Sequence, residues 1–315
     1  MAETGTKWAN LLTPELSEAF FVGFTAGGRR SSQISDVFGM RSSDRSFEQH
    51  RGVGAFGSDG WNFKTSGRVQ YGNRDLGYQT TFTHIEYAKG HQVERNLVDD
   101  NLTDISFDDA RLLGDSAFRF REKAGADVFN NAFTDSGTTD AGFDIAGFDS
   151  VGLLSAAHPR SARDAANTQS NEGTLALTNA NVSTTRQLHM ALTDDRGDIL
   201  DVQPDEILVP PELEDAAIEA LGSAIAPLTP ASANNAQNPQ TGRFQIRTWH
   251  YLTDANAWFL IDSARRAQDL LWYERIPVEY AAEEDFDTLI GKFRAYMRFS
   301  RNWRDFRFIY GQNPS

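Results

Sequence analysis

The longest regular pattern in this chain is an amphipathic helical stripe over residues 104–133. About 28 residues at 1.5 Å each give a helix of roughly 42 Å, longer than an average globular helix. Gly114 and Gly125 cost about 1 kcal/mol each relative to Ala, which favours close packing or bending there. Ser106 and Asp109 resemble a capping box. The helix is expected to act as a spine, with an apolar stripe of Ala110, Leu113, Ala117, Phe120, Ala124, Val128 and Ala132.

Two segments ahead of this helix have no evident core of their own. Residues 1–55 predict an extended arm, with a short helix that is capped by Thr13, starts at Pro14 and stops at Gly27. Glycines and aromatic residues follow, and residues 78–87 show the period-2 pattern of a strand. A two-stranded hairpin is marginal alone, so this one is expected to lie on another surface.

A compact α/β lobe is predicted after the spine helix. Its pattern indicates helices over 184–192 and 211–221 and strands over 206–209, 244–251 and 257–261. Basic and aromatic residues then alternate over 270–310. Because neighbouring side chains of a strand point to opposite faces, this alternation favours core strands with an Arg-rich outer face over a nucleic-acid surface.

The composition of the 315 residues excludes several classes of protein. Lys and Arg number 30 against 44 Asp and Glu, and the net charge of −14 argues against a free nucleic-acid binder. The absence of Cys excludes disulfides and zinc–thiolate sites. No apolar run reaches the ~18 residues of a membrane helix, and no secretory signal is evident, so we expect no membrane contact and assembly in the cytoplasm. A prior of ~150 residues per domain predicts about two lobes.

Charge is distributed unevenly along the chain. Acidic residues outnumber basic residues over 97–150, whereas basic residues outnumber acidic ones over 292–307. Arg supplies most of the positive charge, and its planar guanidinium suits bidentate pairs at partly buried interfaces. The sequence therefore predicts an acidic face and a basic face on one chain, while for any single charge a solvated surface position is the simpler interpretation.

The acidic and histidine residues do not predict a metal site. His84 and Glu86 share a strand face, with His91 beyond them, but no third ligand stands at a fixed spacing. A second cluster matches no dedicated oxygen cage and fits a helix end followed by a turn: Asp194, Asp195, Asp198 and Asp201.

No catalytic pattern is present either. Ser155 and His158 lie three residues apart, but no nucleophile elbow surrounds the serine and no acid is expected to orient the histidine. The glycine pair near residue 27 lacks the Lys of a phosphate-binding loop, and no dinucleotide fingerprint follows a strand. The sequence therefore predicts no catalytic residue, no cofactor and no metal.

Five segments, dispersed over most of the chain and in a consistent order, carry a resemblance to a known family. They are GYQTTFTHIEYAKGHQVERNLVDDNL, FDSVGLLSAAHP, PDEILVPPELEDAAIEAL, YLTDANAWFLI and FDTLIGKFRAYMRFSRNWRDFRFIYG. The chain resembles the major capsid proteins of tailed bacteriophages with the Hong Kong 97-type fold, in particular the group similar to the major head subunit of phage Mu.

The resemblance implies an α+β fold with a fixed domain order. An N-terminal arm is expected over 1–55 and an E-loop hairpin over 56–90. A P-domain with the spine helix follows over 91–180, an A-domain over 181–263, and return strands to the P-domain with the C-terminus over 264–315.

The resemblance also implies a function and its partners. The chain is expected to self-assemble as hexamers and pentamers into the icosahedral head of a tailed phage, around double-stranded DNA held without sequence-specific binding. Portal and decoration proteins are expected partners. Because the arm starts at Met1, a separate scaffolding protein is expected rather than a fused scaffold segment.

Residues of the arm and the hairpin are expected to contact neighbouring copies. Some relatives also crosslink an E-loop lysine to a neighbour's asparagine, which here would join Lys64 to Asn302 or Asn313, although no activating carboxylate is marked. The expected assembly residues are Phe20, Phe24, Arg29, Arg30, Trp61, Phe63, Lys64, Arg68, Tyr71 and Arg74.

Two alternatives belong to other classes of function. An encapsulin-like nanocompartment of the same fold would enclose a cargo enzyme. A metal-dependent hydrolase would use the acidic residues between 194 and 201 and would turn over substrate as an isolated monomer.

Overall fold

The computed structural model describes residues 8–26, 31–56, 71–100, 103–163, 165–222, 238–285 and 287–314. Its helices are α1 (Trp8–Thr25), α2 (Ile34–Val37), α3 (Arg95–Asp99), α4 (Thr103–Asn130), α5 (Asn179–Met190), α6 (Glu214–Ala217) and α7 (Ser263–Asp269). A 3-10 turn, Pro211–Leu213, precedes α6, and a π-helical turn, Ile218–Gly222, follows it. Across these described ranges, no helix is long and apolar enough to span a membrane.

Thirteen strands are described, and most of them belong to two sheets. They are β1 (Gly39–Ser42), β2 (Phe47–Val53), β3 (Leu76–Thr83), β4 (Ile85–Glu94), β5 (His158–Pro159), β6 (Thr168–Gln169), β7 (Glu172–Gly173), β8 (Glu206–Val209), β9 (Gln245–Thr248), β10 (Trp258–Ile261), β11 (Leu270–Glu284), β12 (Ile290–Trp303) and β13 (Ile309–Gln312).

The first sheet has four strands in the order β1-β11-β12-β4. β11 and β12 form a long antiparallel hairpin, and β4 pairs with the other edge of β12. The short β1 adds in parallel and reaches only the first part of β11. α1 and α4 pack over this sheet and close a core that includes Leu16, Phe293 and Ala295.

α4 confirms the predicted spine helix, with 28 residues. Ala124 and Val128 of its stripe are buried in the largest apolar core. The predicted capping box is wrong, because the helix begins at Thr103 and Ser106 lies inside it. The buried Ser106 hydroxyl has no hydrogen-bond partner among the described residues.

α1 crosses α4 where two glycines bring the backbones together. A Cβ on Gly114 would overlap the carbonyl oxygen of Phe20, and a Cβ on Gly23 would overlap the carbonyl oxygen of Arg111. The contact is therefore reciprocal, and the predicted close packing at Gly114 is confirmed.

The first helix differs from the prediction in its start and its packing. It begins at Trp8, so Pro14 lies in its interior rather than in its first turn. It also has a core within its own chain, contrary to the prediction, because α4 and β11 cover Leu16 and Phe20. The apolar stripe of the helix was visible in the sequence, but the distant strand that covers it was not.

The second sheet has five strands in the order β7-β13-β10-β8-β9. β8 and β10 are buried along their whole length and pair antiparallel, while β9 pairs with β8 in parallel. These three strands confirm the predicted ones: β8 has the predicted bounds, and β9 and β10 are narrower than predicted. α5 begins earlier than the predicted residue 184, because the side chain of Thr178 caps it by accepting a hydrogen bond from the Asn181 amide at 3.2 Å.

β12 confirms the predicted core strand with a basic outer face. Phe293 and Phe299 are buried, whereas Lys292 and Arg294 are exposed. Arg301 departs from this pattern. It is buried, and its Nε donates to a carbonyl oxygen of α4 at 2.6 Å, which compensates part of the cost of removing the guanidinium from water.

Buried polar groups fix the segment between α1 and β1 to α4 and α7, and through them to the second sheet. Glu122 of α4 accepts hydrogen bonds from Ser32 Oγ at 2.5 Å and from Trp249 Nε1 at 3.1 Å. Burial raises the pKa of Glu122, and these hydrogen bonds oppose the rise. Arg266 of α7 donates to a carbonyl of α2 at 2.6 Å and pairs with Glu206 at 3.0 Å.

β2 and β3 form the E-loop hairpin, outside both sheets. Its first strand begins at Phe47, ahead of the predicted boundary at residue 56, so part of the predicted arm belongs to the hairpin. The part of the predicted extended arm that follows α1 also contains α2 and β1. The sequence did not show these elements because their partners, β3 and β11, lie far along the chain.

Candidate assembly surface

The hairpin exposes apolar side chains that no part of the described chain covers. Tyr71 is 94% exposed, Leu76 65%, Phe56 59%, Val53 53% and Phe47 47%. These five side chains concentrate exposed apolar surface on one element, and such surfaces are typical of interaction sites. We call these five residues the hairpin surface.

The loop end of the hairpin, just beyond its paired strands, is held against a turn that follows α5. Asp195 accepts a hydrogen bond from the Ala55 amide at 2.9 Å. Arg196 donates to the carbonyl oxygens of Ala55 at 3.0 Å and Asn73 at 2.8 Å, one on each side of the hairpin. No local pattern in the sequence indicated this contact, since it joins segments more than a hundred residues apart.

A second contact joins the hairpin to the first sheet. His84 separates β3 from β4 and lies between Ser43 Oγ at 3.1 Å and Ser300 Oγ at 2.9 Å. His50 Nε2 lies 2.6 Å from the Tyr273 hydroxyl. Burial lowers the pKa of both histidines, so neutral imidazoles are favoured at this junction.

The predicted assembly residues fall into three groups. Phe20 is fully buried and stacks on Tyr280 at 5.0 Å between ring centroids, so its predicted contact with a neighbouring copy is wrong. Phe24 is half-buried against Phe118. Among the described side chains of α1, the exposed large apolar ones are instead Phe21 and Val22.

Of the predicted hairpin residues, the structure describes Tyr71 and Arg74. The Arg74 guanidinium lies 5.2 Å from the centre of the Phe56 ring, which keeps both groups near the tip of the described hairpin. The remaining predicted residues lie outside the described ranges: Arg29, Arg30, Trp61, Phe63, Lys64 and Arg68. The prediction missed Phe47, Val53, Phe56 and Leu76, although the period-2 pattern with aromatic residues was the signal that could have found them.

The two predicted crosslink acceptors are half-buried in separate places. Asn302 donates to the Thr81 carbonyl at 3.4 Å, close to the hairpin. Asn313 lies after β13, where its amide donates to the Gly173 carbonyl at 2.9 Å. Lys64 lies outside the described residues, so the crosslink stays a prediction.

His158 is oriented by an acid, contrary to the expectation from sequence. Its Nδ1 lies 2.7 Å from Asp149 Oδ2, its Nε2 lies 3.2 Å from the Leu153 carbonyl, and its ring stacks on Phe306 at 3.8 Å. Both ring nitrogens are therefore engaged away from Ser155, and the imidazole is fully buried. This geometry positions His158 as a structural link, not as a base that could activate a serine.

The acidic cluster after α5 forms a turn. Asp194 Oδ1 accepts from the amides of Arg196 at 2.8 Å and Asp198 at 2.9 Å. In the part of the chain that the structure describes, no group of three or more potential ligands could hold a metal ion. His91, the histidine beyond His84 on the predicted strand, stacks on an aromatic ring of β12 at 5.2 Å.

Much of the predicted charge pairing occurs inside the chain. Arg304 pairs with Asp269 at 3.2 Å and Arg307 with Asp305 at 3.0 Å. Burial, together with the nearby Asp305, raises the pKa of Asp269 to about 6, and Arg304 opposes this rise. Acids of the same chain therefore neutralise part of the positive charge of the closing basic segment. Ion pairs between copies would need charged residues from other parts of the chain.

A spine helix over one sheet, a second lobe and a projecting hairpin are the parts of a subunit that interlocks with others. Solved structures share this architecture. Mycobacterium phage Patience gives a TM-score of 0.57 at 12% identity, covering 97% of this chain and 88% of that chain. Mycobacterium phage Bobi gives 0.54 at 15%, covering 91% of each. The capsid of Myoviridae phage XM1 gives 0.51 at 8%, covering 90% of this chain and 92% of that one. The fold is the Hong Kong 97-type capsid fold, as predicted.

The family follows from the sequence itself. The chain belongs to the phage capsid protein family, which it matches over residues 77–311. A comparison with curated protein sequences gives no match. The family confirms the predicted capsid protein and a structural role in the virion, and it does not favour an encapsulin-like compartment. The closer likeness to Mu-like head subunits stays a prediction.

Proposed function

We propose that this chain is the major subunit of an icosahedral phage head, in which copies assemble as hexamers and pentamers around double-stranded DNA. The observation that carries the proposal is the hairpin surface, five exposed apolar side chains on a two-stranded element outside both main sheets. Phe82 packs this hairpin on Leu271 and Tyr273, but the five side chains stay open to solvent in the described chain, and a neighbouring copy would bury them. Contacts that are weak singly become strong when many act together.

The proposed division of labour follows the domain order predicted from sequence. The arm over 1–55, the hairpin over 56–90 and the P-domain over 91–180 would form the wall, with the hairpin extended back to residue 47. The A-domain over 181–263 would face the centres of hexamers and pentamers, and residues 264–315 would return to the P-domain. The contacts between copies would involve Phe24, Tyr71, Arg74 and the tip residues outside the described ranges.

The proposal includes partners that supply what the chain lacks. A scaffolding protein would guide assembly in the host cytoplasm, a portal would occupy one vertex, and decoration proteins could bind outside. With a net charge of −14, the wall would confine DNA without adhering to it, since phosphate contacts need a net positive surface. A strongly positive inner surface in the assembled particle would contradict this point.

Electron cryomicroscopy of the purified chain tests the function directly. We expect closed shells made of the 35.0 kDa chain, with sixfold and fivefold clusters of subunits. Particles from producing cells should contain double-stranded DNA and no enzyme cargo, whereas an enzyme cargo would favour the compartment. A chain that remains monomeric at concentrations where capsid subunits assemble would contradict the proposal. A single 35 kDa band from intact particles would exclude the Lys64 crosslink.

A further inference from the structure

One end of the five-stranded lobe carries an open cleft of about 980 Å³ with a basic rim. Arg186 of α5, Arg243 ahead of β9 and Arg265 of α7 line it, beside the apolar side chain of Met190. Arg186 is half-buried and Arg243 is exposed. Among the described residues, neither guanidinium pairs with an acid of its own chain, so both are available to a ligand that brings negative charge.

The acids of the same cleft are already engaged. Asp205 accepts from the Ser263 amide at 2.8 Å and hydroxyl at 2.5 Å. Asp262 accepts from the Arg265 amide at 3.0 Å and the Gln203 amide at 2.9 Å. Asp201 lies beside the amide group of Gln203, which contacts both of its oxygens. Asp262 also pairs with Arg265 at 3.8 Å. The formal charges that line the cleft therefore balance, but each carboxylate has a partner, and the charged groups of the described cleft that lack one are the guanidiniums of Arg186 and Arg243.

The other end of the lobe carries acids that lack a partner. Between Pro211 and Glu219, four exposed acids stand without a basic residue: Glu212, Glu214, Asp215 and Glu219. Within the described part of the chain, none of them forms an ion pair. Ile218, in the same turn, is 50% exposed. We call this segment the acidic strip; it combines negative charge with an apolar side chain, as the cleft combines positive charge with Met190.

The fold keeps the strip and the cleft of one chain apart. The cleft residues Gln203 to Asp205 lead into β8, and the strip follows the other end of that buried strand. α5 shows the same separation: Asn179 at its start donates to the Ala220 carbonyl at 2.8 Å beside the strip, whereas Arg186 and Met190 lie towards its other end in the cleft. Twelve residues at 1.5 Å place those ends about 18 Å apart.

We propose that the cleft of one copy receives the acidic strip of the next copy, head to tail. Two different surfaces that join in this way generate a closed ring when the rotation between copies closes. Complementary charge would fix the register of the ring and reject wrong orientations, while Ile218 and Met190 would exclude water from the contact. The inference rests on the proposed self-assembly and names the surfaces that close each hexamer and pentamer.

Charge reversal tests this contact. Arg186→Glu with Arg243→Glu makes the cleft acidic, and Glu214→Arg with Glu219→Arg makes the strip basic. We expect each pair alone to lower the yield of particles at least about tenfold, because like charges would face each other. The chain with all four changes should regain assembly, since it restores opposite charges. Sedimentation velocity and electron microscopy measure the yield, and circular dichroism checks that each variant is folded.

Mixing the two single-face variants sharpens the test. In an equal mixture, the two variants can alternate around a six-membered ring, so that a reversed cleft meets a reversed strip and an unchanged cleft meets an unchanged strip. A five-membered ring has an odd number of copies, so at least one contact joins two copies of the same variant. We expect hexamers without closed shells. If either single-face variant assembles like the wild type, or the fourfold variant fails to recover, the head-to-tail contact is wrong. A wild-type chain that never assembles would instead contradict the shell function, and this contact with it.

Discussion

The five-stranded lobe and the E-loop hairpin are both built from strands, but only the lobe is completed by its own chain. In the lobe, β8 and β10 are buried on both faces, and the Trp258 side chain is 0% exposed. In the hairpin, Val53 and Leu76 are more than half exposed. The difference predicts that the lobe is completed by folding and that the hairpin is completed by assembly.

The two regions also differ in where their favourable energy is realised. Fully burying a Leu or Phe side chain contributes about 1.5–3 kcal/mol relative to leaving it exposed. The apolar side chains of the lobe contribute this free energy when the chain folds. Phe56 and Leu76 stay exposed after folding, so they contribute it only when another surface covers them. Changes in the lobe should therefore alter unfolding of the isolated chain, and changes in the hairpin surface should alter assembly.

The largest effect is expected from Trp258→Ala in the lobe. The indole is fully buried, and its Nε1 donates to the Leu175 carbonyl at 2.9 Å. We expect the free energy of unfolding to fall by about 3–5 kcal/mol, as for other large-to-small changes in cores. Urea denaturation of the unassembled chain measures it. A loss below about 1 kcal/mol would contradict the view that this lobe is the self-sufficient region.

The next effect is a dependence of lobe stability on pH through His189 of α5. Burial lowers the pKa of His189 to about 4, although its hydrogen bond to the Arg307 carbonyl at 3.1 Å opposes this shift. Because the folded pKa lies below the unfolded value of about 6.5, the stabilising contribution is present above pH 6.5 and is lost as the pH falls towards 4. We expect this group to remove about 3 kcal/mol over that range.

Two substitutions separate this group from other titrating groups. His189→Gln keeps a donor for the carbonyl but does not titrate, so unfolding curves at pH 7 and pH 4.5 should differ less than in the wild type. His50→Gln at the hairpin base is the matched control, because burial lowers the pKa of His50 as well but leaves the residue half-exposed. A larger change of pH slope from His50→Gln than from His189→Gln would reverse the expected order of the two regions.

A smaller loss is expected from Gly114→Ala at the crossing of α1 and α4. Intrinsic helix propensity alone would stabilise the variant by about 1 kcal/mol. The new Cβ would overlap the Phe20 carbonyl oxygen, however, and backbone cannot move aside as a flexible side chain can. We expect a net loss of about 1–3 kcal/mol. Leu112→Ala on the exposed side of α4 serves as a control, with little change expected.

Sequence reasoning succeeded where a pattern is local and failed where a partner is distant. The spine stripe and the continuous apolar run of β8 were sufficient to predict those elements, because their periodicity or length specifies both type and burial. The strand at Phe47 and the burial of Phe20 were missed, since β3 and β11 that cover them lie elsewhere in the chain. The acid that orients His158 was missed for another reason: Asp149 is only nine residues away, but the irregular segment between them has no periodicity that would bring the two side chains together.

The smallest effect on unfolding, and the sharpest separation of the two regions, is expected from Phe56→Ser combined with Leu76→Ser on the hairpin. Both side chains face solvent in the isolated chain, so the free energy of unfolding should change by no more than about 0.5 kcal/mol. Assembly should nevertheless fail, because the contacts between copies lose their apolar anchors. Ile199→Ser is a matched control, since this 73% exposed apolar residue lies outside the hairpin surface. Particle yield by sedimentation should fall for the hairpin variant and not for the control; an equal yield for both would show that the hairpin surface is not what joins the copies.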